Sequence, residues 1–113
     1  MINFKINYDK ESDDLFVYLD GTKSEGAVEA GNFIFDFDKK GDLIAMENLE
    51  ASKVFTLLLK KTIQLNNIKE FKAESTKFRN MESVRFMIAD DLNRETTSIL
   101  FPKIIEQSPS LDY

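Results

Sequence analysis

Asn32-Phe33-Ile34-Phe35-Asp36-Phe37-Asp38-Lys39-Lys40-Gly41-Asp42-Leu43-Ile44-Ala45-Met46-Glu47-Asn48-Leu49 is the stretch that decides the fold. Phe33, Phe35 and Phe37 face one way and Ile34 and Asp36 the other, the period-2 alternation of a β-strand. Asp38-Lys39-Lys40-Gly41 reads as a hairpin turn, with Gly41 supplying the positive φ that closes a short loop. Leu43 to Leu49 then runs back as a second strand. Ala51 and Ser52 introduce a helix, and Ser52 is the expected N-cap, its hydroxyl accepting from a free amide of the first turn.

Upstream, Ile2, Phe4, Ile6 and Tyr8 alternate with Asn3, Lys5 and Asn7, a half-buried strand. Asp9-Lys10-Glu11-Ser12-Asp13 is turn chemistry, because short Asp and Ser side chains bond nearby amides. Asp14 to Asp20 returns with Leu15, Val17 and Leu19 on one face and Phe16 and Tyr18 on the other. Both faces are apolar, which predicts a strand covered on both sides or one contributing to a subunit contact. Gly21 to Gly26 reads as a loop and Ala27 to Ala30 as a short strand.

Downstream, a helix is predicted over Lys53 to Leu65, ending at Asn66-Asn67. Val54, Phe55, Leu57, Leu58, Leu59, Ile63 and Leu65 give it a wider apolar arc than one sheet requires. A second packing partner is expected, either the C-terminal strands or another subunit. Ile68 to Phe78, Ser83 to Ala89 and Thr96 to Phe101 read as further strands, and Pro102 stops the last one. The fold class is α+β: an antiparallel β-meander of about four strands, one apolar helix and further C-terminal strands. A single domain is expected over residues 1–102, followed by a mobile tail over 103–113.

The segment from Tyr8 to Ser52 also resembles a known family. It carries Tyr8-Asp9, an acidic turn, the strand Asp14-Leu15-Phe16-Val17-Tyr18-Leu19, the turn Asp38-Lys39-Lys40-Gly41, the strand Ala45-Met46-Glu47-Asn48-Leu49 and Ala51-Ser52. In order and spacing this is similar to the small prokaryotic proteins catalogued as domain of unknown function 2283. Phe16-Val17-Tyr18 stands where that family usually has Leu-Tyr-Ile, and Ala45-Met46 where it usually has Gly-Ile. The resemblance implies a meander followed by a helix and a small self-associating domain. It implies no catalytic residues.

Composition narrows the function classes. With 42% hydrophobic and 31% charged residues, the chain is too apolar for a disordered acidic segment and too charged for a membrane protein. It contains no cysteine and no histidine, so disulfides, thiolate metal sites and Ser-His or Cys-His catalysis are excluded. Those absences point away from enzymes. The first residues alternate rather than forming a secretory leader, which makes the cytoplasm the expected location. Residues 1–53 hold twelve acids against six bases, and the remainder eight against nine. An acidic half argues against a general nucleic-acid or anionic-membrane binder; it would suit a basic protein partner, but the preferred reading is a surface that keeps the protein in solution.

Asp36, Asp38, Gly41 and Glu47 fit four positions of a calcium loop, but Lys40 falls where a ligand oxygen belongs and the flanks read as strands. The preferred reading is a turn, and neither metal nor cofactor is expected. Glu47 lies in an otherwise apolar strand. Were its face the core, it would need a partner such as Lys5 or Arg85; alternatively Ile44 and Met46 face inward and Glu47 faces water. Lys60 to Arg85 carries seven bases against three acids with Phe71 and Phe78 interleaved, a weak nucleic-acid signal. Ten Phe residues and the wide helical arc leave apolar surface to spare, which favours a homodimer. The expected interaction residues are Phe16, Tyr18, Glu47, Phe55 and Leu59. The preferred function is a non-enzymatic interaction module. The competitors are an acidic, antitoxin-like inhibitor of a basic protein and a carboxylate-dependent enzyme using Glu47, Asp36 or Ser52.

Overall fold

The computed structural model describes residues 1–103 and 111–113. The expected mobile tail over 103–113 therefore lies mostly outside the described residues, at 104–110. In chain order the elements are β1 (Ile2–Asn3), β2 (Lys5–Asp9), β3 (Asp14–Tyr18), β4 (Lys23–Ser24), β5 (Gly26–Ala30), β6 (Phe33–Phe37), β7 (Leu43–Asn48), α1 (Ala51–Leu59), β8 (Glu70–Phe78), β9 (Met81–Ala89), β10 (Arg94–Pro102) and β11 (Leu111–Asp112).

The strands form a five-stranded sheet in the order β2-β3-β7-β6-β5, a four-stranded sheet in the order β1-β8-β9-β10, and a short β11-β4 pair. All the pairings are antiparallel. The fold is α+β, and its larger sheet is meander-like rather than one continuous meander. The hairpin β2–β3 and the meander β5–β6–β7 are joined by β7 lying against β3. The Asp38–Gly41 turn forms as the sequence requires. Asp38 Oδ1 accepts from the amides of Lys40 and Asp42, both at 2.9 Å, and Gly41 adopts φ +86°.

The two larger sheets meet across a phenylalanine core. Phe35 stacks on Phe101 at 4.7 Å between ring centroids, Phe71 stacks on Phe86 at 5.6 Å, and Phe33 lies 6.2 Å from Phe86. Eight of the ten phenylalanines are buried, leaving Phe16 half-buried and Phe78 exposed. The core therefore absorbs most of the apolar excess that composition pointed to. Glu82 is also inside, fully buried, and its Oε1 is 3.1 Å from Lys103 Nζ, which sits 4.0 Å above the Phe37 ring.

The helix differs from expectation at both ends. It starts at Ala51 behind Glu50, which has left-handed φ and ψ, and Ser52 does not cap it. Asp13, from the distant β2–β3 turn, does that work instead. Its carbonyl accepts from Ala51 N at 2.9 Å, and its carboxylate accepts from Ser52 N at 3.0 Å and from Ser52 Oγ at 2.6 Å. The helix stops at Leu59 because Lys60 turns left-handed, six residues short of the predicted Leu65. Ile63, in irregular chain, and Leu65, the first residue of a 3-10 turn over Leu65–Asn67, are both buried, so the core takes them from beyond the end of α1. Of the expected second partners the C-terminal sheet is the one observed, with Phe55 edge-on to Phe86 at 5.5 Å. Leu57 remains 78% exposed.

Candidate functional site

The outward face of the five-stranded sheet gathers the unusual residues. Strand alternation puts Leu15, Val17, Met46, Phe33 and Phe35 in the core and turns their neighbours outward. Register then lays two rows across this face. Asn7, Phe16, Glu47, Ile34 and Glu29 are successive partners in one, and Lys5, Tyr18, Ala45, Asp36 and Ala27 in the other. Phe16 and Tyr18 stack at 5.3 Å.

This face is covered by the last residues of the sequence. β11 pairs with β4, placing Leu111 opposite Ser24 and Asp112 opposite Lys23. Gly21 N donates to Tyr113 O and Tyr113 N to Thr22 O, both at 2.9 Å. The tyrosine ring then lies 5.6 Å from Phe16, and its hydroxyl donates to Asp36 Oδ2 at 2.5 Å. Ser24 Oγ donates to Asp36 Oδ1 at 3.0 Å. Asp36 is only 8% exposed and Ser24 1%. A carboxylate so deeply placed needs donors, and these two hydroxyls supply them.

Electrostatics follow from this geometry. Burial, then the hydrogen bond and negative charge of Asp36, hold the Tyr113 phenol well above its usual value. Burial also raises the Glu47 carboxyl, and the neighbouring Asp14 and Asp36 add to the shift. Among the described residues neither Asp36 nor Glu47 forms an ion pair. The arrangement can hold an extended backbone, an aromatic ring and a phenolic hydroxyl together. Among the described residues no three ligating side chains stand close enough to hold a metal ion.

The sheet brings Phe16, Tyr18 and Glu47 together, with Glu47 directly across from Phe16. Glu47 is half-buried on the outward face, while Met46 and Leu43 point inward. Its polar neighbour is neither Lys5 nor Arg85 but another acid, Asp14. Phe55 is elsewhere, 1% exposed in the core, and Leu59 is half-buried against the same core. Ser52 belongs to the Asp13 cluster, where Asp13 also accepts from the Tyr8 hydroxyl at 2.6 Å. The basic run from Lys60 to Arg85 is partly neutralised by its surroundings: Lys61 pairs with Glu95 at 2.7 Å and Lys72 with Glu70 at 3.8 Å. Sequence reasoning missed Tyr113, Ser24 and Asp13. For Tyr113 no signal was present, since three residues after a Pro- and Ser-containing stretch show no periodicity.

No helix among the described residues is long and apolar enough to cross a membrane. No solved structure matches the chain. An uncharacterised protein of Methanocaldococcus jannaschii is 41% identical over 69 residues, which is 61% of this chain and 58% of that relative's length. Residues 5–52, from β2 to the first turn of α1, match the family model described as a protein of unknown function (DUF2283).

Proposed function

We propose that this is a non-enzymatic interaction module, acting as a homodimer, whose working surface is the outward face of the five-stranded sheet. The observation that carries the proposal is that this face already holds an extended segment, through main-chain bonds at β4 and side-chain contacts at Phe16 and Asp36. Adding a strand to a short edge while a neighbouring pocket reads one side chain is a common mode of peptide recognition. A cytoplasmic location is part of the same proposal, supported by the cysteine-free composition. Sedimentation velocity at micromolar concentrations tests it. The wild-type chain is expected to associate and a Phe16→Ser/Tyr18→Ser chain to remain monomeric. A wild-type monomer throughout the accessible concentration range would refute the homodimer.

A second reading is favoured by one specific feature, the grouping of Asp14, Asp36 and Glu47 on a face where no described base pairs with Asp36 or Glu47. It is the acidic, antitoxin-like partner of a basic protein. Its mark is co-purification with a basic protein that weakens steeply with salt, whereas strand addition would persist.

A further inference from the structure

We propose that Ser24, Asp36 and Phe16, with the edge of β4, form a subsite that reads a tyrosine in an extended segment, filled here by Leu111–Tyr113 and open to the same segment of a second copy of this chain. The inference rests on the interaction module proposed above and names what its surface recognises.

Three contacts divide the recognition. The β4 ladder and the bonds at Gly21 and Thr22 hold backbone and are indifferent to side chains. Phe16 takes any aromatic ring. The selective element is Asp36, whose Oδ1 receives Ser24 and whose Oδ2 receives the Tyr113 hydroxyl. Both Asp36 and Ser24 are more than nine-tenths buried, so phenylalanine in place of tyrosine would leave Oδ2 without that donor in a place poor in water. Sites built to bond a hydroxyl reject analogues that lack it far more strongly than apolar pockets reject a change of size.

The second copy follows from the identity of the element. Every molecule carries both the acceptor and the segment, so exchange between two chains preserves all the contacts described and links the molecules. The β11–β4 pair is only two residues long, which places it at the low-stability end of the fold where local opening is cheap. Within one molecule the segment benefits from a high effective concentration, so exchange grows as protein concentration rises.

The experiment uses the full chain with Tyr113→Ala, labelled with nitrogen-15, to empty the ring and hydroxyl positions while retaining the acceptor. Acetyl-Leu-Asp-Tyr-amide is titrated in while the amides of Ser24 and Asp36 are followed by NMR. Saturable shifts are expected, and the phenylalanine analogue should bind at least about tenfold more weakly, the loss expected for one hydrogen bond to a charged group. Unlabelled Asp36→Asn chain, which keeps Tyr113 but has a weakened site of its own, should move the same amides. No saturable shift, or equal binding of the two peptides, overturns the subsite. Peptide binding without any response to the Asp36→Asn chain overturns the second copy as its source. Failure of the module reads differently: a wild-type monomer that still shows tyrosine-selective peptide binding in this assay removes the homodimer and leaves the subsite. A dimer that dissolves on Phe16→Ser/Tyr18→Ser, with no peptide binding, does the reverse.

Discussion

Replacing Asp13 by alanine should destabilise the fold by about 2 to 4 kcal/mol, although the residue lies in a turn with its side chain partly open to solvent. The carboxylate receives the Tyr8 hydroxyl at 2.6 Å, the Ser52 hydroxyl at 2.6 Å and the Ser52 amide at 3.0 Å. Loss of a helix cap costs about 0.5 to 2 kcal/mol. Hydrogen bonds to a charged group contribute about 1.5 to 3 kcal/mol each when shielded, and the value is lower here because water can replace the lost partner. Urea unfolding followed by circular dichroism measures the change. With slopes of about 1 to 3 kcal/mol per molar, the midpoint should fall by about 1 M or more at unchanged slope. Asp13→Asn, which keeps acceptors and tolerates the residue's φ of 56°, should recover part of the loss. Burial would raise the Asp13 carboxyl, but the Ser52 and Tyr8 hydrogen bonds outweigh it and hold the group below its ordinary value of 3.8. Its contribution is therefore present above that value and lost as pH falls through the lower folded-state value, so the gap between wild type and Asp13→Ala should close in strong acid. A loss smaller than about 0.5 kcal/mol at neutral pH, within the range of an ordinary surface substitution, would refute the assignment of Asp13 as a tertiary cap.

Two further substitutions probe charges placed by the fold. Lys103→Met leaves the fully buried Glu82 without its cation and should cost about 3 to 5 kcal/mol in chemical unfolding, with much of it restored when Glu82→Gln is added. Glu47→Gln should stabilise the chain at neutral pH. The folded-state carboxyl is raised from 4.5 by burial and by Asp14 and Asp36, so the folded state holds its proton longer and stability falls as pH rises through that window. The advantage of the glutamine should shrink below the ordinary carboxylate range, and a constant difference across pH would contradict this.

What was legible in the sequence were features whose causes are local. The hairpin from Phe33 to Asn48 follows from alternation and from a glycine where positive φ is needed. The second covered face of β3 was visible in Phe16 and Tyr18, and the structure covers it with Tyr113. What was not legible depended on distant partners. Ser52 looked like a cap because hydroxyls cap helices, but Asp13, 39 residues away, binds both its amide and its hydroxyl. The helix end at Lys60 carries no glycine to mark it, and Ile63 and Leu65 extended the helical pattern although the core takes them from irregular chain and a separate 3-10 turn beyond α1. The pairing of β7 with β3 skips three strands, which periodicity does not encode. For the candidate site, Phe16, Tyr18, Glu47 and Asp36 could be named from sequence, but Ser24 and Tyr113, whose hydroxyls donate to Asp36, could not.

The most direct test is the pH titration of the Tyr113 ring, followed by NMR on selectively labelled tyrosine. With its hydroxyl on the buried Asp36 carboxylate, Tyr113 should remain protonated well past the ordinary tyrosine value of 10.0 and return towards it in Asp36→Asn. Ordinary titration of Tyr113 in the wild-type chain, unchanged by Asp36→Asn, would mean that the segment does not occupy the outward face.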